Sequence, residues 1–230
     1  MAKFDLSKTG ELADLFATAR AQRDQNWKQR FYSAVVDASM ATTPQQVLRG
    51  PDGFSYFVLN IPPAGQPFET FCVSHVLDVC LDNGFGIVIQ PDANPPQWVF
   101  NYGNLWSFKS FGKFEMERPA APSEPKAPVA SPQPLLVGQP SLDLFPAYAR
   151  KAVKAFLVAA TGNADPQVLL LNDARQDPPQ SLVFSVFPED FAGQSEFEQA
   201  MYRLTWFLPS HYRLANIPRD SNLTDRFASL

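Results

Sequence analysis

The chain has 230 residues, of which 45% are hydrophobic and 18% charged, with 19 basic against 23 acidic side chains and a net charge of -4. That balance leaves no surplus of cations for a phosphate backbone, so nucleic acid is not expected as a partner. No apolar run approaches the roughly 20 residues that cross a bilayer, and the opening Met-Ala-Lys-Phe-Asp-Leu-Ser-Lys lacks the apolar core of a signal peptide. No membrane association is expected, and the expected location is cytoplasmic.

The first half opens with helical periodicity. Leu12, Leu15, Phe16 and Ala19 follow a 3.6-residue spacing after a capping region at residues 7–9, and Trp27, Phe31, Ala34, Val35 and Ala38 continue it after the polar Asp24-Gln25-Asn26. This predicts two helices or one long bent helix. Pro44 marks a boundary, and Val47-Leu48-Arg49 leads through Gly50-Pro51-Asp52-Gly53 into an apolar run at 54–61, a hairpin signal.

Beyond Pro62-Pro63, a helix is predicted over 67–81, with Phe68, Phe71, Cys72, Val76, Val79 and Cys80 as its apolar stripe and Asn83-Gly84 as its stop. Gly86-Ile87-Val88-Ile89 reads as a buried strand. The run Trp98-Val99-Phe100-Asn101-Tyr102 alternates at period two, and a further strand is predicted around 105–108.

Seven prolines then follow between Pro119 and Pro140. Proline fixes φ and removes the amide donor, so a semi-rigid, polyproline-II-like connector is predicted over 119–134, with a ligand for an SH3-type groove as the alternative reading.

The second half is read more briefly. Phe145-Pro146 opens a helix whose inward face carries Phe145, Ala149, Ala152, Val153, Phe156 and Leu157, stopped at Thr161-Gly162. Strands are predicted over 166–171 and 181–187. Ser195 and Glu198 suggest a capping box for a helix presenting Phe197, Met201, Leu204 and Leu208, with a last strand over 212–217.

Both halves therefore run helix, strand, turn, strand, helix, short strand. The predicted fold class is α+β: two small α+β domains of related plan, 1–118 and 135–230, with helices packed on mixed or antiparallel sheets and a Pro-rich linker at 119–134.

Several of these stretches resemble the SseB-like (enhanced serine sensitivity protein B) family. The Phe31-Tyr32 pair, the Asp52-Gly53 turn and Gly86-Ile87-Val88-Ile89-Gln90-Pro91 look like its N-terminal domain, while Leu136-Val137-Gly138-Gln139-Pro140 and the strand at 168–171 look like the start of its C-terminal domain. The chain departs from the family at Phe57-Val58-Leu59-Asn60, where Pro-x-Phe-Thr is usual, and at Gln90, where Asn is usual. The resemblance implies two α+β domains and a cytoplasmic, non-enzymatic or undefined role, with no site residues to carry over.

Residues that could bear chemistry are few. Only Cys72 and Cys80 occur, eight apart on one predicted helix and out of disulfide reach there, so buried thiols are expected. His75 and His211 are the only histidines; Cys72 with His75 is the one conceivable pair, and no orienting acid accompanies it. Asp78 with Asp82 and Glu189 with Asp190 read as solvated or helix-entry acids. No phosphate-cradling glycine motif or zinc-ligand spacing is present, so no catalytic, metal or cofactor site is expected.

One candidate surface remains. Trp106, Phe108, Lys109, Phe111 and Lys113 interleave aromatics with lysines, a composition suited to a protein partner, with a guarded edge strand as the alternative. The expected function is a cytoplasmic, non-enzymatic protein-protein interaction or regulatory module. A secretion-chaperone-like protein, or a hydrolase or transferase with a carboxylate site at the domain cleft, are the alternatives.

Overall fold

Two short aspartates set the first helices. Asp5 caps α1 (Leu6–Ala17) by accepting from the Ser7 and Lys8 amides, upstream of the predicted capping region, and Asp24 caps α2 (Gln25–Val35) by accepting from the Trp27 amide at 2.7 Å. The computed structural model describes residues 4–116, 135–174, 176 and 178–230. The predicted linker at 119–134 lies outside the described residues. Packing divides the chain into two units, Met1–Leu105 and Trp106–Leu230.

In the first unit α1 and α2 are separate helices joined through a single 3-10 turn at Arg20–Gln22. Leu12, Leu15, Trp27, Phe31 and Ala34 face inward. The Trp27 indole donates to the Leu15 carbonyl at 2.9 Å, and the Arg23 guanidinium lies 4.7 Å over the same ring.

The sheet of this unit runs in the order β1 (Val47–Arg49), β2 (Ser55–Leu59), β3 (Gly86–Ile89), β4 (Trp98–Phe100). β1 and β2 form the predicted antiparallel hairpin, where Gly53 takes φ 83° and the Tyr56 hydroxyl donates to the Asp52 carboxylate. β2 and β3 are parallel, which requires a crossover, and α3 (Val73–Asn83) supplies it. A Cβ on Gly86 would stand 2.6 Å from the Phe100 carbonyl oxygen, so this position admits only glycine.

Two predictions for this half are corrected. The helix expected over 67–81 begins at Val73: Cys72 is its extended N-cap, and Phe71 instead exchanges backbone hydrogen bonds with Met40. The true stripe is Val73, Val76, Leu77, Cys80 and Leu81, an unbroken i, i+3, i+4 pattern, and Val79 is 52% exposed. The strand expected around 105–108 is helical, part of α4 (Tyr102–Phe111). Asn101 and Asn104 start it reciprocally, each side-chain oxygen accepting from the other's amide at 2.7 and 3.0 Å. Tyr102, Leu105 and Trp106 are then buried at i, i+3, i+4.

The second unit contains β5 (Leu136–Gly138), α5 (Ala147–Thr161), β6 (Gln167–Asn172), β7 (Gln180–Phe184), α6 (Gln194–Leu204), β8 (Arg213–Leu214) and β9 (Ala228–Ser229). Its sheet runs β5-β6-β7-β8, with β9 pairing the end of β6 that β5 leaves open. The β6–β7 hairpin is antiparallel, and α6 crosses over to β8, which lies parallel to β7. The succession α2-β1-β2-α3-β3 in one unit is thus repeated as α5-β6-β7-α6-β8 in the other, the related α+β plan read from the sequence.

Here too the ends differ from prediction. α5 stops at Gly162 (φ 72°) as expected, but α6 starts after Gly193, and Glu196 rather than Glu198 reaches back, accepting from the Ala192 amide at 3.3 Å. The strand expected over 212–217 is confined to Arg213–Leu214, and β9 was not foreseen. Leu169, Leu171 and Val183 form one core cluster, covered by Val137, Ala215, Ile217, Leu223 and Phe227. No helix among the described residues is long and apolar enough to cross a membrane.

Candidate functional site

The helical turn of α4 separates residues that a strand would have grouped. Trp106 has no exposed surface; it stacks on Phe145 and takes the edge of Tyr212 at 5.0 Å. Phe108 is half-buried and stacks on buried Phe114, centroids 4.4 Å apart. Lys109 and Lys113 are exposed, and Phe111 is 44% exposed with its ring set edge-on to His211 at 5.2 Å. Of the five candidate surface residues, Trp106 is therefore a core residue of the second unit. Period 3.6 instead of 2 is the cause.

Phe111 and His211 line a cavity of about 260 Å³ within the second unit. Its floor comes from the sheet. Leu170 of β6 and Leu182 of β7 are register partners, so their side chains share one face, opposite to that of Leu169, Leu171 and Val183. Leu144 and Tyr212 form a wall, tied together by the Tyr212 hydroxyl donating to the Leu144 carbonyl at 2.6 Å.

The polar groups around this space are few and fixed. Burial, with a contribution from Tyr148, pushes the Tyr212 phenol up to about 12, so it stays a neutral donor. Burial pulls the His211 imidazole below its ordinary value, and its Nδ1 is enclosed without a hydrogen-bond partner among the described residues, which favours the uncharged ring. Arg213, also in the lining, is held by its Nη1 donating to the Gln176 side-chain oxygen at 2.8 Å. Among the described lining residues there is no carboxylate, thiol or serine hydroxyl. The arrangement suits binding of an apolar group beside a cation.

The other chemistry-bearing residues are occupied structurally. The Cys72 sulfur meets the Ser74 hydroxyl at 3.3 Å, while His75 is exposed, with its ring against Phe71 and Phe4. Cys72 occupies the extended N-cap position ahead of α3 without a side-chain capping bond, so it is not on the helix face that carries Cys80, and both thiols are buried and outside any disulfide. Burial pushes the Cys80 thiol up to about 12. Glu189 and Asp190 both pair with Arg219, and Asp190 also accepts from the Phe187 amide. Among the described residues no group of three or more His, Cys, Asp or Glu side chains stands close enough to hold a metal.

Sequence reading missed Leu170, Leu182 and Tyr212 as a site. Nothing local marks them, because the β6–β7 register and the return of the chain after α6 bring them together. Comparison of the chain with protein-family models, with curated proteins and with solved structures finds no match.

Proposed function

We propose that the chain is a cytoplasmic, non-enzymatic protein-protein interaction or regulatory module of the SseB-like kind, and that the cavity beside Phe111 is its contact point. The observation that carries this reading is the cavity's lining: leucines and aromatic rings, a single described cation and no described carboxylate. Small, mostly apolar concavities with a few fixed polar groups are where binding proteins take up an anchoring side chain. The two α+β units agree with the two-domain plan that the SseB-like resemblance implies. The net charge of -4 favours a protein over a nucleic acid as partner.

Affinity capture with the full chain tests it. Phe111→Glu places a charge in the cavity's lining, at a position 44% exposed and so expected to spare the fold. A partner retained by the wild type and lost from this variant, with an unchanged circular dichroism spectrum and melting temperature, is the expected result. Equal retention would remove the cavity as the contact.

A further inference from the structure

Resting on the reading of this cavity as a partner contact, we propose that its occupant is a partner's peptide segment carrying a phenylalanine ring flanked by carboxylates. Size, lining and charge each point this way. An apolar protein cavity of roughly 150 Å³ accepts benzene, so about 260 Å³ admits a phenyl ring together with the atoms that connect it to a chain. The rings of Phe111, His211 and Tyr212 follow one another edge to face, at 5.2 Å with planes 75° apart and 4.7 Å with planes 86° apart, and a further ring can join them in the same geometry.

The charges select the flanks. Arg213 is the only formal charge among the described lining residues, and its side chain is already anchored by Gln176 and the Pro178 carbonyl, so little freedom is lost when it meets an anion. The one formal charge among the described lining residues is thus a cation, on a chain with an overall charge of -4, and an acidic segment is its complementary partner.

Calorimetric titration of the full chain with three short synthetic peptides tests the proposal: a central Phe flanked by Asp and Glu, the same Phe flanked by Ser, and the acidic peptide with Ala in place of Phe. The acidic Phe peptide is expected to bind about tenfold tighter than the Ser-flanked one, to weaken as salt is raised, and to shift the His211 ring resonances. The Ala peptide is expected not to bind. Arg213→Gln should erase the preference for acidic flanks, and Phe111→Glu should abolish binding while the circular dichroism spectrum stays unchanged. Equal binding of acidic and Ser-flanked peptides overturns the proposal while leaving the cavity as a contact. No binding by any peptide overturns it outright, and phenylacetate binding as tightly as the acidic Phe peptide overturns the peptide occupant in favour of a small aromatic acid.

Discussion

The indole of Trp106 lies 5.6 Å from the ring of Phe145, centroid to centroid, with the two planes 17° apart. Neither ring has exposed surface. This pair joins the start of the second unit to the residue before the Pro146 N-cap of α5, and Tyr212 meets the indole at 5.0 Å. Trp106→Ala is accordingly expected to lower stability by about 3–5 kcal/mol, the range for emptying a buried aromatic site. Urea unfolding measures it, and a loss under about 1 kcal/mol would place Trp106 outside the core.

Phe111, five residues further along α4, should behave differently. It is 44% exposed and touches His211 by one edge, so Phe111→Ser is expected to cost about 1 kcal/mol or less. The same unfolding experiment separates the two positions: similar losses at Trp106 and Phe111 would contradict the burial difference between them.

The parts of the fold that were legible in the sequence are those set locally. The Asp52-Gly53 turn, the glycine stops at Gly84 and Gly162, and the repeated helix-hairpin-helix-strand order all depend on residues a few positions apart. α4 was misread because Trp106, Phe108 and the flanking polar residues alternate at period two, while the helix is decided by the Asn101–Asn104 exchange at its start. The candidate site was not legible for a stronger reason. The register that sets Leu170 opposite Leu182, and the return of the chain from α6 to His211, are non-local, and no single window of sequence contains them.

His211 gives the second unit a pH dependence of definite sign. Burial holds its folded pKa below the ordinary 6.5 that the unfolded chain recovers. The unfolded state therefore binds the proton more readily. This contribution to stability is complete above about pH 6.5 and is lost as pH falls from there through the lower folded pKa. Melting temperatures across this range should decline towards acid in the wild type and decline less in His211→Phe. Parallel profiles would rule out His211 as the source.

Cys80 is expected to be chemically inert while the chain is folded. Burial pushes the Cys80 thiol up to about 12 and leaves it no exposed surface, so the reactive thiolate is scarce near pH 8. Cys72 is equally buried. A thiol-specific chromogenic reagent should therefore leave both residues unlabelled in the native chain and label both in urea. Rapid native labelling of either would show that its surroundings open.

At the end of β3, Gln90 is held at φ 52°, the left-handed region, and is followed by Pro91. An L side chain is strained there by about 1–2 kcal/mol, and a following proline restricts the position further. The conformation is kept because the Gln90 amide donates to the Leu59 carbonyl at 2.9 Å while its own carbonyl accepts from the amides of Ala93 and Gln97, which folds the 90–97 loop back onto the strand end. Asparagine tolerates that region better than glutamine. Gln90→Asn is expected to raise stability by about 0.5–1 kcal/mol, and Gln90→Val, whose branched Cβ suits the region least, to lower it by more than about 1 kcal/mol. Urea midpoints of the two variants decide it: if valine is tolerated as well as asparagine, the loop is not held by the backbone conformation of Gln90.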